Sequence, residues 1–131
     1  MYQQGADIIF NIAGGTGVGI FQAAQEANKW AIGVDSDQAM AMEPTNPDQA
    51  KQILTSMQKN VDNSIYRAMK MYLDGTLPFG KVEQLGLKEG GVGLSDNKFY
   101  QANTPKDVQD KVAQAIKDVS DGKIVVETVF K

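Results

Sequence analysis

GADIIFNIAGGTGVGIFQAAQEANKWAIGVDSDQ, residues Gly5–Gln38, is the stretch whose reading decides the fold. Ala6–Ala13 is a short apolar run rich in Ile and Phe and ended by glycines, and it reads as a central strand. Gly14, Gly15, Gly17 and Gly19 then crowd one short turn, where the backbone can bend tightly or approach a ligand. Val18–Asn28 follows with Val18, Ile20, Phe21, Ala24 and Ala27 near helical spacing, and Thr16 is placed to cap that helix. Trp30–Val34 is the second strand, and it delivers Asp35. Phe10 and Phe21 read as core. The segment is a βαβ unit. In an open parallel sheet, ligands sit just beyond the carboxyl ends of the strands. Gly14, Gly15 and Asp35 therefore belong to one rim.

Downstream, Ser36–Asp48 carries Asp, Ser, Asn and two prolines, which reads as a surface loop, with Met40 and Met42 packed locally. Gln52–Ser56 reads as a strand. Val61–Leu73 is an amphipathic helix with Val61, Ile65, Ala68, Met69, Tyr72 and Leu73 on one stripe, stopped by Gly75. Phe79–Gly93 alternates apolar residues among glycines and suggests a hairpin or two edge strands. The last helix opens with Thr104 as N-cap and Pro105 at its first position, has Asp107 in its first turn, and ends at Asp121–Gly122. Val108, Val112, Ala115, Ile116 and Val119 form its core face. Lys123–Phe130 reads as a closing strand.

A chain of 131 residues suits one domain. Net charge is −3 and no basic block is present, which argues against a nucleic-acid partner. Histidine and cysteine are both absent, so histidine bases, thiolate nucleophiles and the usual zinc ligands are missing together. Carboxylates, lysines, hydroxyls and amides remain. Such a set suits binding better than catalysis, and neither a cofactor nor a metal is expected. No apolar run reaches the ~18 residues of a membrane span, and the first residues lack the pattern of an export signal.

The glycine turn invites a dinucleotide reading, but the fingerprint G-x-G-x-x-G begun at Gly15 wants a third glycine where Ile20 stands. Asp35 does lie about 20 residues on, at the end of the next strand, as a ribose-binding acid would. A P-loop is excluded, because no Gly-Lys-Ser/Thr follows. A tight turn with no ligand is the plain alternative.

GADIIFNIAGGTGVGIFQAA, WAIGVDSDQ, ILTSMQKNVDNSIYRAM and LKEGGVGLSDN, in this order and spacing, resemble the carboxyl-terminal part of the basic membrane protein family. These are substrate-binding lipoproteins of ABC transporters and include purine-nucleoside receptors. The resemblance runs over essentially all 131 residues. It implies an α/β fold: a three-layer parallel-sheet lobe of a type I periplasmic-binding-protein fold, incomplete, with residues 1–131 as the carboxyl-terminal lobe plus hinge-crossing segments. A nucleoside would lie in the cleft between this lobe and an amino-terminal lobe that the chain lacks. The resemblance further implies ABC permease subunits as partners and an extracytoplasmic location at the cell membrane. With one lobe missing, exposed apolar helix faces are expected to drive homodimerisation.

Site residues carry over on the same basis. Asp35 is the ribose ligand, since a carboxylate at a strand end can accept both hydroxyls; an aspartate capping a local turn is the alternative. Gly14 and Gly15 offer backbone to the sugar or base. Lys59 would donate to a base carbonyl or ring nitrogen, against the alternative of a solvated lysine before a helix. Asp37 is a second candidate for the ribose. Two other readings stay open: a nucleotide- or dinucleotide-binding Rossmann-like enzyme domain, and a binding-incompetent folded fragment that oligomerises.

Overall fold

The structure, a computed structural model, describes residues 1–127. Two compact units are present: Met1–Lys59 with Gly93–Thr104, and Asn60–Val92 with the chain from Pro105 onward.

In the first unit, β1 (Ile8–Phe10), β2 (Trp30–Asp35) and β3 (Ile53–Lys59) lie side by side and parallel, with β4 (Val92–Leu94) beyond β3. Ile9 faces Ala31 and Asp35 faces Gln58, with one register shift between Ala31 and Ile32. Parallel strands need crossovers. Helix α1 (Val18–Ala27) makes the first one, and α2 (Gln38–Met42) with α3 (Pro47–Ala50) makes the second. Residues 36–48 are thus not the plain loop the prolines suggested. Asp37 and Asn46 each accept a hydrogen bond from the N–H three residues on, and Pro47 opens α3, so both turns wind as capped helices.

Phe21, Ala24, Ala31, Ala39 and Ile53 form the buried cluster, with Tyr2, Ile20, Met42 and Phe99 packed against it. Alanines on α1, α2 and β2 let those backbones close tightly over Phe21. Complete burial of that ring contributes about 1.5–3 kcal/mol. Phe10 does not join the core. Ordering the strands β1-β2-β3-β4 makes β1 an edge, and Ile8 and Phe10 stay almost half exposed. A parallel strand buries its residues only where neighbours and helices cover it. Met40 is likewise more exposed than its partner Met42.

A short helix absent from the sequence reading, α5 (Lys98–Asn103), packs on β3. Asn97 starts it by accepting from the Phe99 and Tyr100 N–H groups at 2.9 and 3.0 Å.

The second unit holds α4 (Val61–Leu73) and α6 (Lys106–Ser120). Gly75, at φ +69°, stops α4, and Gly122, at φ +75°, follows the end of α6. Pro105, not Thr104, is the N-cap of α6. Neither helix has a fully buried residue, so the expected core face of α6 is not a core here. Val61, Ile65, Met69, Tyr72 and Leu73 line α4 in the open. Of the hairpin or two edge strands expected over Phe79–Gly93, one strand forms, at the end of the segment, where Val92 and Gly93 enter β4. Gly80 and Gly90 take left-handed φ, and Gly86, Glu89 and Gly91 close a turn through Gly86 N–H to the Glu89 carboxylate and Gly91 N–H to Gly86 O, both at 2.9 Å. Of the closing strand read over Lys123–Phe130, residues 123–127 are irregular and the rest lies outside the described residues.

Candidate functional site

Parallel strands end on the same side, so the carboxyl ends of β1, β2 and β3 form one rim. Gly14 and Gly15 follow β1, Asp35 ends β2, and Lys59 ends β3. All four belong to the first unit. One direct contact joins two of them: Lys59 Nζ lies 2.7 Å from Asp35 Oδ1. The β2–β3 register explains it, because Asp35 faces Gln58 and Lys59 is next along. Both side chains are more than half exposed, so the pair adds little stability and remains open to a ligand.

Asp35 takes φ +72°, a left-handed conformation that an L-residue adopts at a cost. The sequence GVDSDQ shows how that conformation is held. Gln38 folds back so that its Oε1 accepts the Val34 N–H at 2.7 Å, while its own N–H donates to Ser56 Oγ at 3.2 Å. Gly33 makes room for this. A Cβ there would sit 2.6 Å from both Gln38 Oε1 and Ser56 Oγ. Val34 and Gln38 thus clamp the turn, and Asp35 ends the ladder opposite Gln58 with its carboxylate at the rim.

Asp37 is occupied elsewhere. Its Oδ1 accepts from the Met40 N–H at 3.2 Å, and Asn97 Nδ2 donates to both carboxylate oxygens at 2.9 and 3.1 Å. Asn97 is almost wholly buried. This aspartate is therefore a capping residue bridged to the start of α5. Nearby, Ser95 Oγ accepts the Ser56 N–H at 2.7 Å, and Thr55 Oγ1 donates to Ser95 O at 2.8 Å. The SDN of GVGLSDN fastens to β3 and to Asp37, which is the physical content of that motif. Sequence reasoning missed Gln38, Ser56, Ser95 and Asn97. Only the pattern of Asn97 ahead of an apolar helical turn offered a signal, as an N-cap.

Each glycine of the turn meets different surroundings. Over Gly14, Gly15 and Gly19 there is open space where a side chain would stand, so a ligand can approach that backbone. Gly17 is a packing glycine, because a Cβ there would fall 1.6 Å from Asn11 Nδ2. Thr16 does not cap α1. Its hydroxyl donates back to Ala13 O at 3.1 Å, and the helix N-terminus has no side-chain cap. Among the described residues, no cluster of acidic residues could hold a metal ion, and no helix is long and apolar enough to cross a membrane.

This geometry offers a carboxylate and an ammonium side by side, next to open backbone on a glycine turn. Such a set recognises vicinal hydroxyls and carbonyl or ring-nitrogen acceptors.

Known proteins resemble this chain. A family model described as "Bmp: ABC transporter substrate-binding protein PnrA-like" matches residues 1–127. Basic membrane protein D of Borreliella burgdorferi is 42% identical over 106 residues, covering 79% of this chain and 29% of that protein. The ABC transporter nucleoside-binding protein BmpA of Lactococcus lactis is 35% identical over 136 residues, covering 96% of this chain and 37% of that protein. A solute-binding protein of an ABC transporter system from Aeropyrum pernix K1 superposes with TM-score 0.76 at 27% identity, over all of this chain and 43% of that one. The chain thus spans about a third of the length of these two relatives. Its fold is the α/β fold of periplasmic-binding-protein-like receptors, in part. The chain belongs to the Bmp family of PnrA-like ABC transporter substrate-binding proteins.

Proposed function

We propose that this chain supplies one wall of a purine-nucleoside cleft, as the carboxyl-terminal lobe of a substrate-binding component of an ABC transporter. The observation that carries the reading is Asp35, held left-handed at the end of β2 with Lys59 Nζ 2.7 Å away on the next strand. One carboxylate accepts both ribose hydroxyls, and the ammonium, with three donors, serves Asp35 and a base carbonyl or ring nitrogen together. Gly14 and Gly15 contribute backbone at close range. The nucleoside-binding protein BmpA of Lactococcus lactis, 35% identical over nearly the whole chain, supports the same ligand class.

On this reading the protein binds and releases without chemistry, which suits a chain holding neither histidine nor cysteine. Permease subunits are its partners, at the extracytoplasmic face of the membrane. The second wall of the cleft comes from the remaining length that the relatives carry. Pockets that hold small ligands bury 70–90% of the ligand surface, so the chain alone binds more weakly than a two-walled receptor. The open apolar stripe of α4 favours self-association of the isolated chain.

Calorimetry with inosine, guanosine, adenosine and NAD tests this reading. Saturable nucleoside binding that Asp35→Ala abolishes supports it. Binding of NAD without any nucleoside would overturn it in favour of a dinucleotide domain. Silence toward every ligand, with a dimer in sedimentation, would favour a fragment that folds without binding.

A further inference from the structure

Directly under the glycine turn lies a polar group that the rim does not use. Asn11 follows β1, and its backbone N–H still joins the ladder, donating to Ile32 O at 2.9 Å. Its side chain is completely buried, yet neither Nδ2 nor Oδ1 has a hydrogen-bond partner among the described residues. The amide lies against Gly17, in the space that any side chain at 17 would need. Gly17 precedes a ten-residue helix, α1, whose N-terminus no side chain caps.

Leaving a donor and an acceptor buried and unpaired is unfavourable, and an apolar residue of similar volume would avoid it. The arrangement is therefore strained in hydrogen bonding but not in packing. Gly17 lies against the amide with no room for a side chain, whereas a Cβ at Gly14 or Gly15 would meet open space, so the backbone above the amide is accessible from outside. We infer that Asn11 is a positioning residue for ligand binding: when a nucleoside engages the backbone of Gly14 and Gly15, the turn settles onto the Asn11 amide, which pairs with it. Asn11 does not touch the ligand. It stabilises the turn in the bound arrangement more than in the free one, and only such a difference shifts an equilibrium. The inference rests on the nucleoside reading of the rim.

Asn11→Leu and Asn11→Ser test it, in the full chain, by inosine calorimetry and thermal melts with and without inosine. Leu fills the space without the polar atoms, so the free protein melts at the same temperature or higher, while inosine binding weakens on the order of ten-fold. Ser restores part of the affinity. A purely structural asparagine would instead lower the melting temperature of the free protein and leave affinity unchanged, and that result would overturn the inference. One measurement needs no variant to fold beyond a spectral assignment: the Asn11 side-chain NH2 resonances of the wild type. Inosine should move them downfield and slow amide exchange at Gly15–Gly17. Inosine binding that leaves both unchanged sinks the positioning role while sparing the nucleoside reading. Absence of inosine binding in the wild type counts against that reading, and the role of Asn11 goes with it.

Discussion

Lys59 Nζ stands 2.7 Å from Asp35 Oδ1, joining the last residues of two adjacent parallel strands at the rim where the glycine turn also emerges. Their mutual coupling in a double-mutant cycle, read from urea melts, should fall within about 0.2–1 kcal/mol, because both groups are largely solvated. Backbone strain separates the substitutions at Asp35 more strongly. Asparagine tolerates φ +72°, whereas Asp35→Ala should lose a further 1 kcal/mol or so. A cycle giving several kcal/mol of coupling would show the pair to be structural.

Asp37→Ala removes the cap of α2 and strands the amide of buried Asn97. A loss of about 2–4 kcal/mol is expected, from a cap worth about 1 and an unsatisfied buried group worth about 1–3. Asn97→Ala should cost a comparable amount, and the double mutant less than the sum. Full additivity in denaturant melts would contradict the bridge.

Gly33→Ala should destabilise the chain by about 1–3 kcal/mol, since its methyl would meet Gln38 Oε1 and Ser56 Oγ at 2.6 Å. Combining it with Gln38→Ala should recover part of that loss, because one of the two obstructing groups is gone. The matched control is Gly19→Ala, which meets open space. Similar melting temperatures for Gly33→Ala and Gly19→Ala would refute the clamp.

Acid and alkaline limbs of the stability profile have separate sources. The hydrogen bond from Lys29, with its charge, holds the Asp7 carboxyl below the usual carboxylate range. Its contribution is present above the unfolded pKa, near 3.9, and is lost as pH falls through the lower folded value. Asp7→Asn should flatten that part of an acid titration. Burial pushes the Tyr2 phenol up, and its hydroxyl donates to Trp30 O at 2.7 Å. This contribution is complete below the unfolded pKa near 10 and fades as pH rises through the folded one. Tyr2→Phe should lose the alkaline slope. Unchanged pH profiles in both variants would disprove these assignments.

Local pattern carried the reading of α1, β2 and α4, whose periodicities and end signals lie within a few residues of one another. Val61–Leu73 with Gly75 after it was legible to the residue, because a helix and its glycine stop are set by neighbours in the chain. Burial was not legible in the same way. Ile8 and Phe10 look like core in any window of sequence, yet they sit on an edge strand. Two capped turns over 36–48 were hidden by prolines, of which Pro47 initiates α3 instead of forbidding it. Alternating apolar residues over 79–93 suggested strands; only the end of the segment is extended, where Val92 and Gly93 enter the edge strand β4, while left-handed Gly80 and Gly90 turn the chain before it.

The sequence by itself determined that a βαβ unit brings a glycine turn and Asp35 to one rim, and that Lys59 follows a third strand. Parallel pairing and side-chain period are local enough to force that outcome. Tertiary structure alone decided the partners. Asp35 meets Lys59 across a strand register, and Asp37 is claimed by Asn97, 60 residues away. Asn11 lies buried beneath Gly17 with its amide unpaired among the described residues. Two aspartates one residue apart in GVDSDQ are alike as letters. They differ because one stands at a strand end in a left-handed turn, while the other lies within reach of a buried amide that must be satisfied.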